Sequence, residues 1–357
     1  MQTEIFIAGA GLAGLSLAAS LQRRGIDYCL AEARDRTGGR ILSLTSGDND
    51  NVLGPTDLGP SWIWPGQAHI AALLKDLGIG VFEQYSDGRL VYEDELGQVR
   101  RDIDYGSMAG SLRIDGGIAR VTDGLAAILP DDAIRLSHRV RAIRQDRDGY
   151  RVLLDRPGGE LAISAHKVAL AIPPRVIASL IEFEPALPRT ILQEMNAIPT
   201  WMAGHAKLVA FYEKPFWREQ GLSGDGISRR GPLMEIHDAC SRNPGRGALF
   251  GFVGVAAGSA LREPSRLVGE AVRQLEKMYG ADAANPLDVV YQDWAEEKFT
   301  ATEADQIIAR HPPYGLPPGM ASLASKGLLF ASTEMAPQFG GFIEGALEAA
   351  QGVLARL

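Results

Sequence analysis

The sequence predicts an α/β protein in which a Rossmann-like domain is interleaved with a smaller α+β domain built on an antiparallel or mixed sheet. Three observations lead there. Residues 5–8, IFIA, form an apolar run of strand formers, glycines follow at 9, 11 and 14, and residues 12–24 carry apolar side chains at helical spacing. A strand, a glycine turn and a helix in that order open a nucleotide-binding sheet. The same logic returns at the far end of the chain, where GLLFAS leads through the glycine pair 340–341 into a helical stretch. One sheet fed from both ends of the chain implies discontinuous domains.

Each feature of the opening unit has a physical task. Gly9 permits the tight turn, Gly11 lets backbone approach a ligand with no Cβ in the way, and Gly14 lets the helix lie close against the sheet. Free amides at the helix start then face a pyrophosphate. A second strand, YCLA at 28–31, ends in Glu32, whose carboxylate is placed to accept hydrogen bonds from ribose hydroxyls and to repel a 2′-phosphate. The continuation EARDRTGGR, residues 32–40, exceeds what a nicotinamide nucleotide needs. The longer pyrophosphate-ribityl arm of a flavin dinucleotide gives Arg40, on its glycine turn, something to clamp.

Further along, DLGPSWIWPGQ at 57–67 precedes a helical stretch at 69–77 and a hairpin-like segment at 85–100. Residues 113–129 read as a turn and a helix returning to the nucleotide domain. Residues 133–155 alternate as strands about Asp148 and Gly149, and the stretch 166–180 ends a strand at Pro173-Pro174. From about 182 to 290 the pattern is that of strands and amphipathic helices of a second domain. The expected division is 1–65, 113–181 and 290–357 for the nucleotide domain, with 66–112 and 182–289 forming the substrate domain. The last helix, starting near Gly340-Gly341, offers free amides and a positive dipole end. That end suits the negative charge that builds at the N1/C2-carbonyl edge of a reduced flavin.

These residues resemble the flavin-containing amine oxidase family, whose members carry GxGxxG and then E-A-R-x-R-x-G-G-R in this spacing. The resemblance runs the length of the chain. DLGPSWIWPGQ is similar to the family's D-x-G-G-S-W segment beside the flavin, with Pro60 for glycine, and LFASTEMA and GFIEGALEA are similar to its closing strand and helix, with Ser332 for glycine and Phe342 for tyrosine. By resemblance, FAD is held by Gly9, Gly11, Ala13, Gly14, Glu32, Arg34 and Arg40, by Gly59, Pro60, Ser61 and Trp62, by Val140 near the adenine, and by Ser332, Thr333, Glu334, Gly341, Phe342 and Ile343. Family members also place a lysine ten residues before the tryptophan of a P-F-W signature. Here these are Lys207 and Trp217, and the resemblance implies that Lys207 meets flavin N5 through a water and assists reaction with oxygen. Phe342 and Trp294 complete the implied catalytic set.

Two departures from the family pattern matter. Ala304 stands where the first of two aromatic rings over the flavin would be, and Glu303 where some members carry a cysteine joined to the flavin, so a noncovalent FAD is expected. The expected reaction is oxidation of an amine C–N bond by hydride transfer to flavin N5, with O2 as acceptor giving hydrogen peroxide and an imine or aldehyde. A dehydrogenase or desaturase of the same fold, and a noncatalytic binding protein of that fold, stand as alternatives.

Composition sets outer bounds. The 357 residues suffice for two domains with a sizeable core, and the net charge of -8 disfavours nucleic acid as a partner. With a strand beginning by Glu4 and no apolar stretch long enough to span a bilayer, a cytoplasmic enzyme is expected. Cys29 and Cys240 supply no disulfide framework, and neither they nor the six scattered histidines show metal-ligand spacing. His205 is the histidine to watch, two residues before Lys207. Monomer and homodimer are both left open.

Overall fold

The computed structural model describes residues 1–44, 54–307 and 310–357. Two sheets organise it. The first has eight strands, with Gln2–Ala8 at its heart, paired in parallel with Tyr28–Ala31 on one side and with the long strand Gly159–Leu170 on the other. Leu328–Phe330, from the last block of sequence, pairs in parallel with the C-terminal part of Gly159–Leu170. Its N-terminal part runs antiparallel to Gly149–Arg156, which in turn pairs with Arg139–Asp146. The sheet is therefore fed from both ends of the chain, as the sequence predicts.

The opening helix, Leu12–Arg24, buries Leu12, Leu15, Leu17 and Leu21 against this sheet and ends on Gly25, in the left-handed region that caps a helix without a Cβ penalty. Burial of each such leucine contributes about 1.5–3 kcal/mol. The closing helix, Ile343–Leu354, and the helices Ala68–Leu77 and Ala119–Ala127 pack on the same face. On the other face lie Pro174–Leu180 and Arg189–Ala197.

The second sheet has seven strands, in the order Asp288–Asp293, Ala206–Tyr212, Gly247–Val253, Leu233–Asp238, Leu222–Ser228, Arg89–Glu93 and Val99–Ile103. It is antiparallel except where Leu222–Ser228 meets Arg89–Glu93. The amphipathic helix Pro264–Tyr279 covers one face through Leu267, Ala271, Leu275 and Met278. The opposite face, carrying Val209, Phe211 and Phe250, packs on Leu58 and Trp62 from the loop after the first glycine motif.

Some chain segments sit across the expected divisions. Helix Ala68–Leu77 packs in the first core through Ile70 and Leu74, because the buried carboxylate of Glu344 accepts from the His69 and Ile70 amides at its start. Strand Glu182–Glu184 extends the first sheet beside Arg139–Asp146. Strand Asp288–Asp293 forms an edge of the second sheet, paired with Ala206–Tyr212. After Pro173-Pro174 the chain turns straight into a helix, with Pro174 at its first position, where a missing N–H costs nothing.

Candidate active site

A cavity of about 500 Å³ runs between the two sheets. The glycine motif forms one end. Gly9 has φ +100°, and a Cβ there would lie 2.7 Å from the Ala171 carbonyl oxygen; a Cβ on Gly14 would lie 1.9 Å from the Gly9 oxygen. Those two glycines are needed for close packing. A Cβ on Gly11 would meet only the Gly38 oxygen, at 3.8 Å, so its open side is the cavity.

The two helices at the ends of the sequence begin on this cavity, and among the described residues no side chain caps either start. Ala13 and Ile343, in the first turns of the opening and closing helices, both line it. Two other helices do carry such caps: Glu263 accepts from Ser265 and Arg266 at the start of Pro264–Tyr279, and Glu344 serves Ala68–Leu77. Uncapped amides with the positive end of a dipole are anion sites. The two helix starts fit a pyrophosphate and the electron-rich edge of a flavin.

Glu32 is buried, with one carboxylate oxygen accepting from the Ala10 amide at 2.8 Å and the other from the Arg34 amide at 2.9 Å. A carboxylate has lone pairs to spare beyond these two bonds, and Glu32 lines the cavity. Arg34 lines it too and donates to Glu297 and Thr300, while Val140 sits on the wall nearby with His138 and Arg139. Arg40 makes a two-pronged bond to Glu334, at 2.7 and 3.3 Å. This pair joins the first glycine block to the short turn Thr333–Met335 that follows the last strand. Glu334 and Gly14 do not line the cavity; Glu334 holds Arg40 from behind, and Gly14 seats the helix.

At the other end Gly59, Pro60, Ser61 and Trp62 form a wall, with Trp294 donating its indole N–H to the Leu58 carbonyl at 3.0 Å. Ser332, Thr333, Gly341 and Phe342 face them. Lys207 is buried, although a lysine on a strand such as Ala206–Tyr212 would ordinarily point to solvent. Its Nζ donates to Ser61 Oγ at 2.6 Å and Gly59 O at 3.2 Å and lies 3.9 Å from the centre of the Phe250 ring. Burial brings its pKa down from 10.5 to about 7, nearby Asp57 pulling it up and Arg113 pushing it further down. Lys207 thus titrates near neutrality beside the loop that lines the cavity.

The aromatic wall differs from a pair of facing rings. Phe342 is 45% exposed and stacks on His311 with centroids 5.1 Å apart, and His311 meets Trp201 edge-on at 4.7 Å. Trp201 lines the cavity above Gly341; Ala304 does not line it. His205 also lines it, with burial and then Arg262 lowering its pKa and, among the described residues, no hydrogen-bond partner for Nδ1.

Sequence reasoning missed Glu235, which with Glu32 supplies the acidic lining among the described residues. Its signal lay in the alternation of Glu235 and His237, which puts both on one face of strand Leu233–Asp238. Phe252 pairs with Glu235 on one side and with Lys207 on the other, so Lys207, Phe252 and Glu235 form a row across the sheet, and all three line the cavity.

Comparisons with known proteins agree with this geometry. The family model described as flavin containing amine oxidoreductase matches residues 12–102 and 88–354. A putative flavin-containing monoamine oxidase, AofH, of Mycobacterium tuberculosis is 28% identical over 460 aligned positions, covering 99% of this chain and 96% of the relative. Putrescine oxidase of Kocuria rosea is 26% identical, with 84% of each chain covered. Among solved structures, putrescine oxidase bound to putrescine superposes with a TM-score of 0.82 at 22% identity, covering 99% of this chain and 98% of that one. Cyclohexylamine oxidase from Brevibacterium oxydans reaches 0.79 at 21% identity, over 99% and 98% of the two chains. At such identities the superpositions establish the fold. With a family model spanning nearly the whole sequence, and a cavity flanked by two uncapped helix starts, the chain belongs to the flavin containing amine oxidoreductases and is an FAD-dependent amine oxidoreductase.

Proposed function

We propose that the protein oxidises a small amine that carries a second cationic group, with FAD held noncovalently and O2 as the acceptor. The observation that carries the substrate reading is the row Lys207, Phe252, Glu235. It sets the backbone of Glu235 two strand spacings from that of Lys207, about 10 Å, with both side chains on the cavity. A monoamine has no use for that carboxylate, whereas a diamine places its distal ammonium there. The name of the Kocuria relative, putrescine oxidase, agrees with a diamine.

The chemistry FAD supplies when bound is acceptance of a hydride from the carbon beside the amine nitrogen, leaving an imine for water to hydrolyse. The chain's own residues bind and orient. Gly9, Gly11 and Ala13 would cradle the pyrophosphate, Glu32 the ribose, and the start of the closing helix the flavin's anionic edge. Arg40, fixed by Glu334, would brace the glycine turn beside that arm. Trp62, Trp294, Phe252 and Phe342 line an apolar passage that excludes water and favours the uncharged form of the reacting amine. Lys207, titrating near neutrality, can hold a water or proton where oxygen takes up charge. We assign the first sheet and its helices to the FAD domain and the second sheet to the substrate domain. Among the described residues no helix is long and apolar enough to cross a membrane.

The test is peroxide release from matched pairs of monoamines and diamines of equal chain length. A clear preference for the diamine is expected. Faster turnover of the monoamines throughout would refute the substrate reading, and oxidation of amines with no peroxide would refute O2 as acceptor.

A further inference from the structure

Behind Glu235 lies a chain of buried polar groups that the reaction as described does not use. His237 is fully buried, with Nε2 2.9 Å from Glu235 Oε1 and Nδ1 2.9 Å from Asp225 Oδ1. Asp225, also buried, accepts at Oδ2 from the Ser107 hydroxyl at 2.9 Å and the Ser107 amide at 3.0 Å. The charged groups facing His237 are these two carboxylates, one on its own strand and one on Leu222–Ser228. Its other neighbours are the Ser107 hydroxyl, 3.4 Å from Nδ1, and the rings of Trp62 and Phe250.

An imidazole can satisfy two carboxylates only by donating from both nitrogens, and only the protonated ring does so. Burial alone would favour the neutral ring, but the bonds to Asp225 and Glu235 outweigh it and raise the His237 pKa. Glu235 has one oxygen committed to His237, while Oε2 has no partner among the described residues and the side chain is 41% exposed. A carboxylate held at one oxygen and open at the other is preorganised for a single cation.

We propose that His237, locked between Asp225 and Glu235, is a positioning residue that fixes the free oxygen of Glu235 for the distal ammonium of the substrate. This rests on the reading of Glu235 as the second cation's anchor. In the absence of the imidazolium the glutamate could swing among rotamers, and its bond to the ammonium would have to offset that lost freedom.

The experiment compares kcat/KM for a diamine and a monoamine of equal length on the FAD-loaded enzyme, for the parent, E235Q and the double variant D225N/H237Q. The double variant keeps a neutral hydrogen-bonded chain, in which Gln donates to Glu235 and accepts from Asn, and so avoids a buried unpaired carboxylate. E235Q should lower the diamine-to-monoamine ratio about ten- to hundredfold, the range of one charge-assisted bond. An unchanged ratio in E235Q would overturn the anchor reading itself. If that ratio falls, the double variant decides the role of His237. Its diamine KM should rise about tenfold while its diamine kcat holds, the mark of lost ground-state positioning.

The pH profile supplies the second readout. In the parent the ratio should fall in two steps on the alkaline side, one as His237 gives up its proton and one of its two bonds and one as the substrate's distal ammonium gives up its own, and the double variant should keep only the second. A double variant with the parent's diamine KM, or with both of the parent's pH steps, would overturn the positioning role while leaving Glu235 as the anchor.

Discussion

Replacing Lys207 by methionine should change stability and oxygen chemistry in ways that can be measured apart. The ammonium is buried against Phe250 with two hydrogen bonds, and its pKa falls from 10.5 to about 7 on folding. That difference corresponds to about 5 kcal/mol of cost for carrying the buried proton. The sign follows from proton counts. Above pH 10.5 both states are neutral and the cost is nil; between 10.5 and 7 the unfolded chain binds a proton that the native state does not, so native stability rises with pH; below 7 the cost is fully present. Methionine fills a similar volume and carries no such term. Urea unfolding of parent and Lys207→Met across this range should show the parent gaining on the variant by about 4 kcal/mol between roughly pH 7 and pH 10. A stability difference that stays flat with pH would refute the buried-ammonium account. Separately, anaerobic bleaching of the yellow colour by amine should change little in the variant, while return of the colour in oxygenated buffer should slow. Equal recovery would leave Lys207 a structural residue.

Gly11→Ala and Gly14→Ala should diverge: the first has room for a Cβ and should fold yet retain FAD poorly, whereas the second drives a Cβ to 1.9 Å from the Gly9 oxygen and should fail to fold, as circular dichroism and flavin absorbance would show. Glu32→Ala should weaken FAD binding by about 1.5–3 kcal/mol, because the ribose and the Ala10 and Arg34 amides lose one charged acceptor; an unchanged FAD dissociation constant would place the ribose elsewhere. Glu334→Ala strands Arg40 against the first glycine block and should cost roughly 3 kcal/mol in denaturant unfolding, the low end for a broken pair because Arg40 keeps some solvent contact. Acid precipitation should release all the yellow colour, since Cys29 and Cys240 are both buried and neither lines the cavity; colour in the pellet would mean a covalent flavin.

The nucleotide half of the site was legible because its constraints are local. A positive φ at Gly9, the clearance above Gly11 and the reach of Glu32 to the Ala10 amide are all set within one strand, turn and helix, so they leave a mark at fixed spacing. Arg40 and Glu334 each stood out, but that they bind one another across 294 positions could not be read from either motif. Glu334 resembles a cofactor contact in sequence and serves as the buried partner of Arg40, which lines the cavity. Lys207 was found through its spacing to Trp217, and its burial follows from the loop 58–62 that covers its face of the sheet, which neither motif reveals. Glu235 stayed hidden for the same reason: a carboxylate on an alternating strand reads as a solvent-facing side chain until pairing with Phe252 turns that face toward the cavity.

The site's polarity follows from where the protein declines to satisfy its own groups. Glu263 and Glu344 show that carboxylates cap some helix starts away from the dinucleotide motif, whereas Pro174–Leu180 and Arg189–Ala197 follow prolines and have no side-chain cap. The opening and closing helices lack such caps on the cavity side, and unsatisfied amides there are a cost that a bound anion offsets. Positive dipole ends therefore gather on the cavity where the proposed reading would seat the dinucleotide and the flavin's electron-rich edge, and the rings of Trp62, Phe252 and Phe342 line the same cavity. The one oxygen of Glu235 left unpartnered by His237 is set at the far side of that apolar stretch. On the proposed reading, an amine entering the cavity meets surroundings that favour a neutral nitrogen near the flavin and a cationic nitrogen at Glu235. Two nitrogens on one chain satisfy both requirements at once, and a single nitrogen satisfies only one of them.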